Sequence, residues 1–154
     1  MNYFELLELP QSFDVDLNEL EKKYFELQRK FHPDREGADM QMATTVNDAY
    51  KVLKDPLKRS EYLLSLDGVI VNDESGAVKP DKELLMEAME QRETLSEAEG
   101  KAEIESLKKE AQENRKKYID ELGIMFMNGD IDGAAKLTIR LKYLEKFLQE
   151  IKIK

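Results

Sequence analysis

The chain contains no cysteine among its 154 residues. A disulfide framework is therefore excluded, and so are zinc sites and iron–sulfur clusters held by thiolates. Only one histidine is present, and no stretch has the ligand spacing of a calcium-binding loop. We expect a protein that holds no metal ion and no other cofactor.

Proline and glycine are also scarce, with four and seven residues respectively. Such a composition is typical of a mostly helical chain, because both residues interrupt helices. No apolar run approaches the length of a membrane span, and the first residues lack the basic and apolar regions of a signal peptide. The sequence therefore predicts a soluble cytoplasmic protein that does not act at a membrane.

Positive charge is the minority sign, since 24 lysines and arginines stand against 33 acidic residues, a net charge of −9. This balance argues against nucleic acid as a ligand, because phosphate binding needs a basic surface. A local basic patch can still meet an acidic protein. The length allows one domain or two small ones.

The first half of the chain shows the apolar spacing of amphipathic helices. Asp16 with Glu19 approximates a capping box at the start of the second helix. That helix ends near His32, because Pro33 disfavours helical conformation in the residue before it. We predict helices at about 3–9, 17–32, 40–55 and 57–66.

The second half predicts three long helices. Residues 68–80 hold two glycines, an Asn-Asp pair and a proline, which makes this stretch the best linker candidate. Helices follow from Asp81, with a break at Gly100 and a turn at residues 128–130, and three such helices predict a bundle. The predicted core stripe of the last helix is Leu137, Leu141, Leu144 and Leu148, while Ile139, Tyr143 and Phe147 lie off it.

His32, Pro33 and Asp34 stand at the end of the second helix. A histidine there can simply be a favourable partner for the carbonyl-rich helix terminus. A His–Asp pair can also be the acid–base dyad of an enzyme, although no nucleophile or phosphate-binding motif accompanies it. A third reading is a helical adaptor in which the tripeptide is only a turn. Local chemistry leaves these readings open.

The tripeptide within its helical frame resembles the J domain of DnaJ-type co-chaperones. The segment 47–53 also resembles the third helix of that family. The resemblance implies an antiparallel helical hairpin with short flanking helices. It also implies that His32, Pro33 and Asp34 stimulate ATP hydrolysis by a partner chaperone.

Nearly the whole chain resembles the HscB family, the J-type co-chaperones of iron–sulfur cluster assembly. The resemblance rests on the segments 56–66, 85–87 and 141–144. It implies an all-α protein with a J domain (1–68), a linker (69–80) and a C-terminal three-helix bundle (81–154).

By this resemblance the chain is a bacterial cytoplasmic co-chaperone and not an enzyme. Its J domain stimulates a DnaK/HscA-type ATPase chaperone, and its bundle delivers an IscU-type iron–sulfur scaffold to that chaperone, with neither nucleic acid nor membrane as a partner. A general J-domain co-chaperone with another client is the alternative.

The chaperone-binding surface is predicted on the polar side of the second helix and in the loop after it. Its residues are Lys22, Lys23, Arg29, Lys30, His32, Pro33, Asp34 and Arg35. Because Glu19, Glu21 and Glu26 interleave with the basic residues, an ordinary solvated helix face remains the alternative.

The scaffold-binding face is predicted mainly on the first helix of the bundle. Its residues are Leu85, Met86, Met89, Glu90, Arg92, Glu93 and Tyr143. Leu85, Met86 and Met89 share one surface at three- and four-residue spacing, and methionine is adaptable at binding surfaces. A wide buried stripe is the alternative reading of the same pattern. By resemblance, Tyr143 on the last helix completes an exposed apolar patch.

Overall fold

The computed structural model describes residues 1–32, 34, 39–71 and 78–154. Within these ranges all elements of regular secondary structure are α-helices, which confirms the predicted all-α class. The helices are α1 (Tyr3–Leu6), α2 (Leu17–Lys30), α3 (Met40–Lys54), α4 (Pro56–Leu66), α5 (Lys82–Glu97), α6 (Gly100–Met127) and α7 (Ile131–Ile153). None of the described helices has both the length and the apolar character that a membrane span requires.

The chain divides into two compact units, Met1–Leu63 and Leu64–Lys154. The predicted domain limits at residues 68 and 80 stay a prediction. Most of the predicted linker, residues 72–77, lies outside the described residues.

Side-chain caps explain why most helices begin where they do. An oxygen of the cap residue accepts a hydrogen bond from a backbone N–H of the first turn, which satisfies a donor that has no partner within the helix. The capping residues are Asn2, Asp16, Asp39, Asp81 and Asp130. Because capping depends on a few adjacent residues, the sequence pattern located the starts after Asp16 and Asp81.

Helix α1 ends earlier than predicted. It stops at Leu6 and does not continue toward Pro10, because Glu8 has a left-handed backbone conformation with φ of 54°. Glutamate rarely adopts this conformation, so the pattern gave no sign of it. Helix α2 also ends slightly early, at Lys30, with Phe31 as its C-cap.

The first unit is built on an antiparallel hairpin of α2 and α3. The rings of Tyr24 and Tyr50 stack across the hairpin, and the Tyr24 hydroxyl donates a hydrogen bond of 2.8 Å to Asn47 Oδ1. Helix α1 packs on α3, and Leu20 and Leu53 are fully buried. Phe31 and His32, which follow α2, therefore lie at one end of a pair of packed helices.

A buried arginine ties α4 into the same unit. Arg59 donates from Nε to the Phe13 carbonyl and from a terminal guanidinium nitrogen to the Leu53 carbonyl, both at 2.6 Å. Its guanidinium also lies 4.9 Å from the centre of the Phe13 ring. Burial lowers the pKa of Arg59, while Asp14 and Asp55 act in the opposite direction. This role was not predicted from the sequence, because arginine is usually exposed.

The second unit contains the predicted bundle. Helices α6 and α7 are antiparallel and are joined by an ion pair of 3.0 Å between Arg115 and Glu145. Helix α5 runs parallel to α7, since Glu87 pairs with Arg140 and Arg92 pairs with Glu150 farther along both helices. The residues of one buried cluster are Leu95, Ala111, Leu144, Phe147 and Ile151.

The prediction that Ile139 and Phe147 lie off the core of α7 is wrong. Their relative exposures are 4% and 6%, whereas Leu148 of the predicted stripe is only partly buried. Helix α7 is packed against both α5 and α6, so its buried surface is wider than one stripe of residues.

Candidate functional site

His32 and Asp34 lie just beyond the end of α2 with exposed side chains. The backbone N–H of Asp34 donates a hydrogen bond of 3.1 Å to His32 Nδ1. Asp34 Oδ2 lies 3.6 Å from the same nitrogen. Pro33 and Arg35, which belong to the same predicted surface, lie outside the described residues.

This geometry assigns a tautomer to the neutral imidazole. A nitrogen that accepts a hydrogen bond carries no proton, so the proton is on Nε2. The side chain of His32 is 52% exposed, and the hydrogen bond to Nδ1 does not involve Nε2–H. Among the hydrogen bonds of the described residues, the contact with Asp34 is the only one that involves the His32 ring. This contact limits the orientation of the ring.

The predicted basic surface of α2 reaches this tip. Lys22, Arg29 and Lys30 are exposed, and the Lys30 ammonium lies 5.4 Å from the centre of the Phe31 ring. Arg29 also borders, with His32, a depression of about 330 Å³ at the end of the helix. The cationic side chain of Arg29 therefore lies close to the imidazole, while that of Lys30 lies over the ring of Phe31.

Lys23 differs from the other three basic residues. Its ammonium forms an ion pair of 3.0 Å with Glu8. The hydrogen bond to Glu8 raises the pKa of Lys23. This partner comes from the segment after α1, so Lys23 contributes less free positive charge to the surface than the sequence pattern suggests.

The apolar part of the predicted scaffold face is exposed. Leu85, Met86 and Met89 have relative exposures of 42%, 53% and 70%. Leu84, on the neighbouring side of α5, is buried at 7%. Leu85, Met86 and Met89 are therefore exposed and do not form a wide buried stripe. Of the four apolar residues, Leu84 is the buried one.

The polar residues of the same face surround these side chains. Glu90, Arg92 and Glu93 are exposed, and an Arg92 guanidinium nitrogen lies 3.2 Å from Glu150 Oε1 on α7. The predicted rim thus contains an ion pair that joins two helices, and Glu150 is a member that the sequence pattern did not indicate.

The role of Tyr143 in completing the apolar patch of α5 stays a prediction. Tyr143 follows Arg140 by three positions on α7, and Arg140 pairs with Glu87 of α5. Tyr143 is only half-buried, and the Lys146 ammonium lies 5.3 Å from the centre of its ring. The tyrosine is therefore less exposed than predicted and carries a cation over its ring.

Comparison with known protein families finds two matches that together cover most of the chain. The model of the DnaJ domain matches residues 2–62. The model described as the HSCB C-terminal oligomerisation domain matches residues 80–152. The unit that carries His32 and the bundle that carries Leu85 thus match different families of domain.

Curated relatives are similar to the chain over nearly its whole length. The chain is 34% identical to the mouse iron–sulfur cluster co-chaperone protein HscB, over 99% of this chain and 68% of the relative. It is also 34% identical to the co-chaperone protein HscB homolog of Aeromonas hydrophila, over 98% of this chain and 94% of the relative.

Solved structures with similar folds carry the same names. The human co-chaperone protein HscB superposes with a TM-score of 0.90 at 31% identity and covers 99% of this chain and 81% of its own. Chaperone HscB from Vibrio cholerae superposes with a TM-score of 0.87 at 34% identity and covers 99% of this chain and 96% of its own.

Proposed function

We propose that this chain, which belongs to the HscB family of co-chaperones, divides the work of that family between the two surfaces described above. The function of the family is to stimulate the ATPase of an HscA-type chaperone and to deliver an IscU-type scaffold to it. The chain therefore acts in iron–sulfur cluster assembly as a J-domain co-chaperone and belongs to no class of enzymes. An Hsp70-type chaperone and an iron–sulfur scaffold are its expected partners.

The tip of the α2–α3 hairpin is the proposed ATPase-stimulating element. His32 carries this proposal, because its ring is exposed, is oriented by the Asp34 amide and has Nε2–H free to donate. One histidine side chain offers too small a contact area for tight binding of a chaperone. Other residues of this surface must therefore supply most of the affinity. The adjacent Arg29 and Lys30 supply positive charge that can steer and orient an acidic partner surface.

The outer flank of the C-terminal bundle is the proposed scaffold-binding face. Three exposed apolar side chains stand close together on α5, and Arg92, Glu90 and Glu93 surround them. An apolar centre with a polar rim is the usual arrangement of a protein interface. The absence of cysteine fits this role, because the scaffold carries the cluster and the co-chaperone needs no thiolate ligand of its own.

We place the protein in the bacterial cytoplasm, where both partners would meet it. The similarity to HscB homologs of Aeromonas species supports this location.

A steady-state ATPase assay of an HscA-type chaperone tests the proposal. The chain alone should raise the rate of ATP hydrolysis, and the chain with an IscU-type scaffold should raise it further than the two separate effects combined. No stimulation by the chain would contradict the role of the hairpin tip. Stimulation without any additional effect of scaffold would contradict the role of the bundle and would favour a different client.

A further inference from the structure

Helix α5 packs few large side chains against the rest of its bundle. Its buried residues are Leu84 and Leu95, one near each end of the helix. The inward stripe between them continues at residues 88 and 91, which are a half-buried alanine and a half-buried glutamine. Apolar packing therefore fixes the two ends of α5 better than its middle.

A cleft that is partly open to solvent lies beside this middle section, between α5, α6 and α7. Its volume is about 420 Å³, and its walls include polar groups such as Gln91, Thr94 and Asn114. Dense packing is what gives a helix one defined position in a protein core. Because α5 borders such a space, another restraint is needed to fix its rotation about the helix axis and its position along that axis.

Arg140 of α7 provides a restraint that joins all three helices. One of its guanidinium nitrogens donates a hydrogen bond of 2.6 Å to Glu87 Oε2 on α5. Tyr118 on α6 lines the same space beside the guanidinium, and its interaction with Arg140 raises the pKa of the arginine. Burial lowers the pKa of Arg140, but the contacts with Tyr118 and Glu87 outweigh this effect and raise it. The arginine is thus a charged group with a partner on each neighbouring helix.

Glu87 lies between the exposed apolar residues of α5. It follows Met86 directly and precedes Met89 by two positions. A helix moves as a rigid rod over such a short stretch, so a rotation or shift at Glu87 changes the position of both methionines together.

We propose, on the basis of the scaffold-binding role of α5, that Arg140 is a positioning residue for the scaffold face. By holding Glu87 to Tyr118, it fixes α5 in the rotation that presents Leu85, Met86 and Met89 as one surface. Without this tether the middle of α5 would depend on its buried ends and on the exposed Arg92–Glu150 ion pair. It would then sample several rotations, and scaffold binding would have to select one of them at a cost in affinity.

A charge exchange in the full-length protein separates positioning from direct contact. The single changes Glu87→Gln and Arg140→Met should each weaken scaffold binding by about fivefold, as loss of one coupled interaction typically does. The double change Glu87→Arg with Arg140→Glu should restore binding to within about twofold of wild type. The Tyr118 hydroxyl can accept from a guanidinium and can also donate to a carboxylate, so the exchanged pair keeps both partners.

The Arg115–Glu145 pair provides a matched control. It joins α6 to α7 in the same bundle at 3.0 Å and does not involve α5. Glu145→Gln should therefore leave scaffold affinity unchanged. A loss of affinity equal to that of Glu87→Gln would mean that any ion pair of the bundle matters, and it would overturn the specific role of Arg140.

NMR signals of the Met86 and Met89 methyl groups report the position of α5 without scaffold. They should shift in both single variants and return toward wild type in the exchanged pair. Unchanged methyl signals and affinities in the single variants would overturn the proposal. Restored signals without restored affinity would mean that Glu87 or Arg140 contacts the scaffold directly, which also overturns it. If the wild-type chain binds no scaffold, the proposed function fails, and the methyl signals still decide whether Arg140 positions α5.

Discussion

The rings of Tyr24 and Tyr50 stack with their centroids 3.9 Å apart and their planes 13° from parallel. This contact joins α2 to α3 about halfway along α2. The Tyr24 hydroxyl adds a hydrogen bond to Asn47 Oδ1 and accepts one from Gln28 Nε2. Tyr24 thus joins the two helices through its ring and through the hydrogen bond to Asn47, while the contact with Gln28 lies within α2 and orients the hydroxyl.

Tyr24→Phe should keep the stack and remove both hydrogen bonds. We expect the free energy of unfolding of the N-terminal unit to fall by about 1 kcal/mol, the usual net value of such a contact. Urea denaturation, with tyrosine fluorescence or circular dichroism as the signal, measures this change. A free energy equal to that of wild type would show that the hydroxyl contacts contribute nothing.

Arg59 should be far less tolerant of substitution. Arg59→Met removes the donors for the Phe13 and Leu53 carbonyls, and each buried acceptor left without a partner costs about 1–3 kcal/mol. Arg59→Lys keeps the charge but has no planar fork to reach both carbonyls, so it should recover only part of the loss. Thermal unfolding of the two variants checks this order, and full recovery by lysine would contradict the two-carbonyl explanation.

The features of the fold that were predicted correctly depend on residues that are adjacent in the sequence. The caps Asp16 and Asp81 and the glycine at position 100 act within one turn of the chain, so the helix limits were nearly correct. The early end of α1 depends on the unusual backbone of Glu8. Glu8 and Leu9 donate backbone hydrogen bonds to the Glu5 and Phe4 carbonyls, which is a common helix-terminating motif whose left-handed position usually holds glycine. A glutamate at that position therefore gives a sequence pattern no signal of the helix end.

The candidate site also contains features that were predicted from adjacent residues and features that were not predicted. Exposure of Met86 and Met89 followed from an excess of apolar residues over one helix stripe. The supporting contacts of the site were not predictable, because Glu150 and Arg140 meet α5 only after α7 has folded back beside it. Charged residues on a long helix are usually solvated, so the pattern gave no reason to select these two.

His32→Gln should abolish stimulation of the chaperone ATPase. Glutamine also carries an acceptor and donors, but both lie at the end of a flexible side chain, so it does not hold a donor in the fixed direction that the ring gives Nε2–H. Because the side chain is half exposed, helicity and melting temperature should stay nearly the same. The measurement is the ATPase rate at saturating variant, with circular dichroism as the control, and stimulation at the wild-type level would remove His32 from the site.

Arg29→Ala combined with Lys30→Ala should weaken chaperone binding and reduce its dependence on salt. Exposed charges act over a distance of about 8 Å at physiological ionic strength, so added salt weakens their attraction. Binding titrations at several salt concentrations give the slope for wild type and variant. The change Lys23→Ala is a useful comparison, because the Glu8 ion pair already offsets that charge. A wild-type affinity that does not change with salt would exclude electrostatic docking.

Replacing Leu85, Met86 and Tyr143 together by alanine tests whether they form the scaffold face. Complete burial of such a side chain in a partner is worth about 1.5–3 kcal/mol, less the costs of association and side-chain ordering. The triple variant should therefore bind scaffold at least about tenfold more weakly, since about 1.4 kcal/mol corresponds to one decade. It should still stimulate the ATPase through His32 but lose the additional effect of scaffold.

The stability of the same variant decides how its loss of binding is interpreted. Leu85 and Met86 are exposed, and their truncation leaves no cavity, so only the half-buried Tyr143 should lower the melting temperature, and only slightly. Leu144→Ala is the matched contrast on α7, because it is 4% exposed and should cost about 2–5 kcal/mol of folding free energy. Melting curves and scaffold titrations of both variants are therefore needed together. If the triple variant melts as low as Leu144→Ala, these residues belong to the core, and the scaffold must bind a different surface.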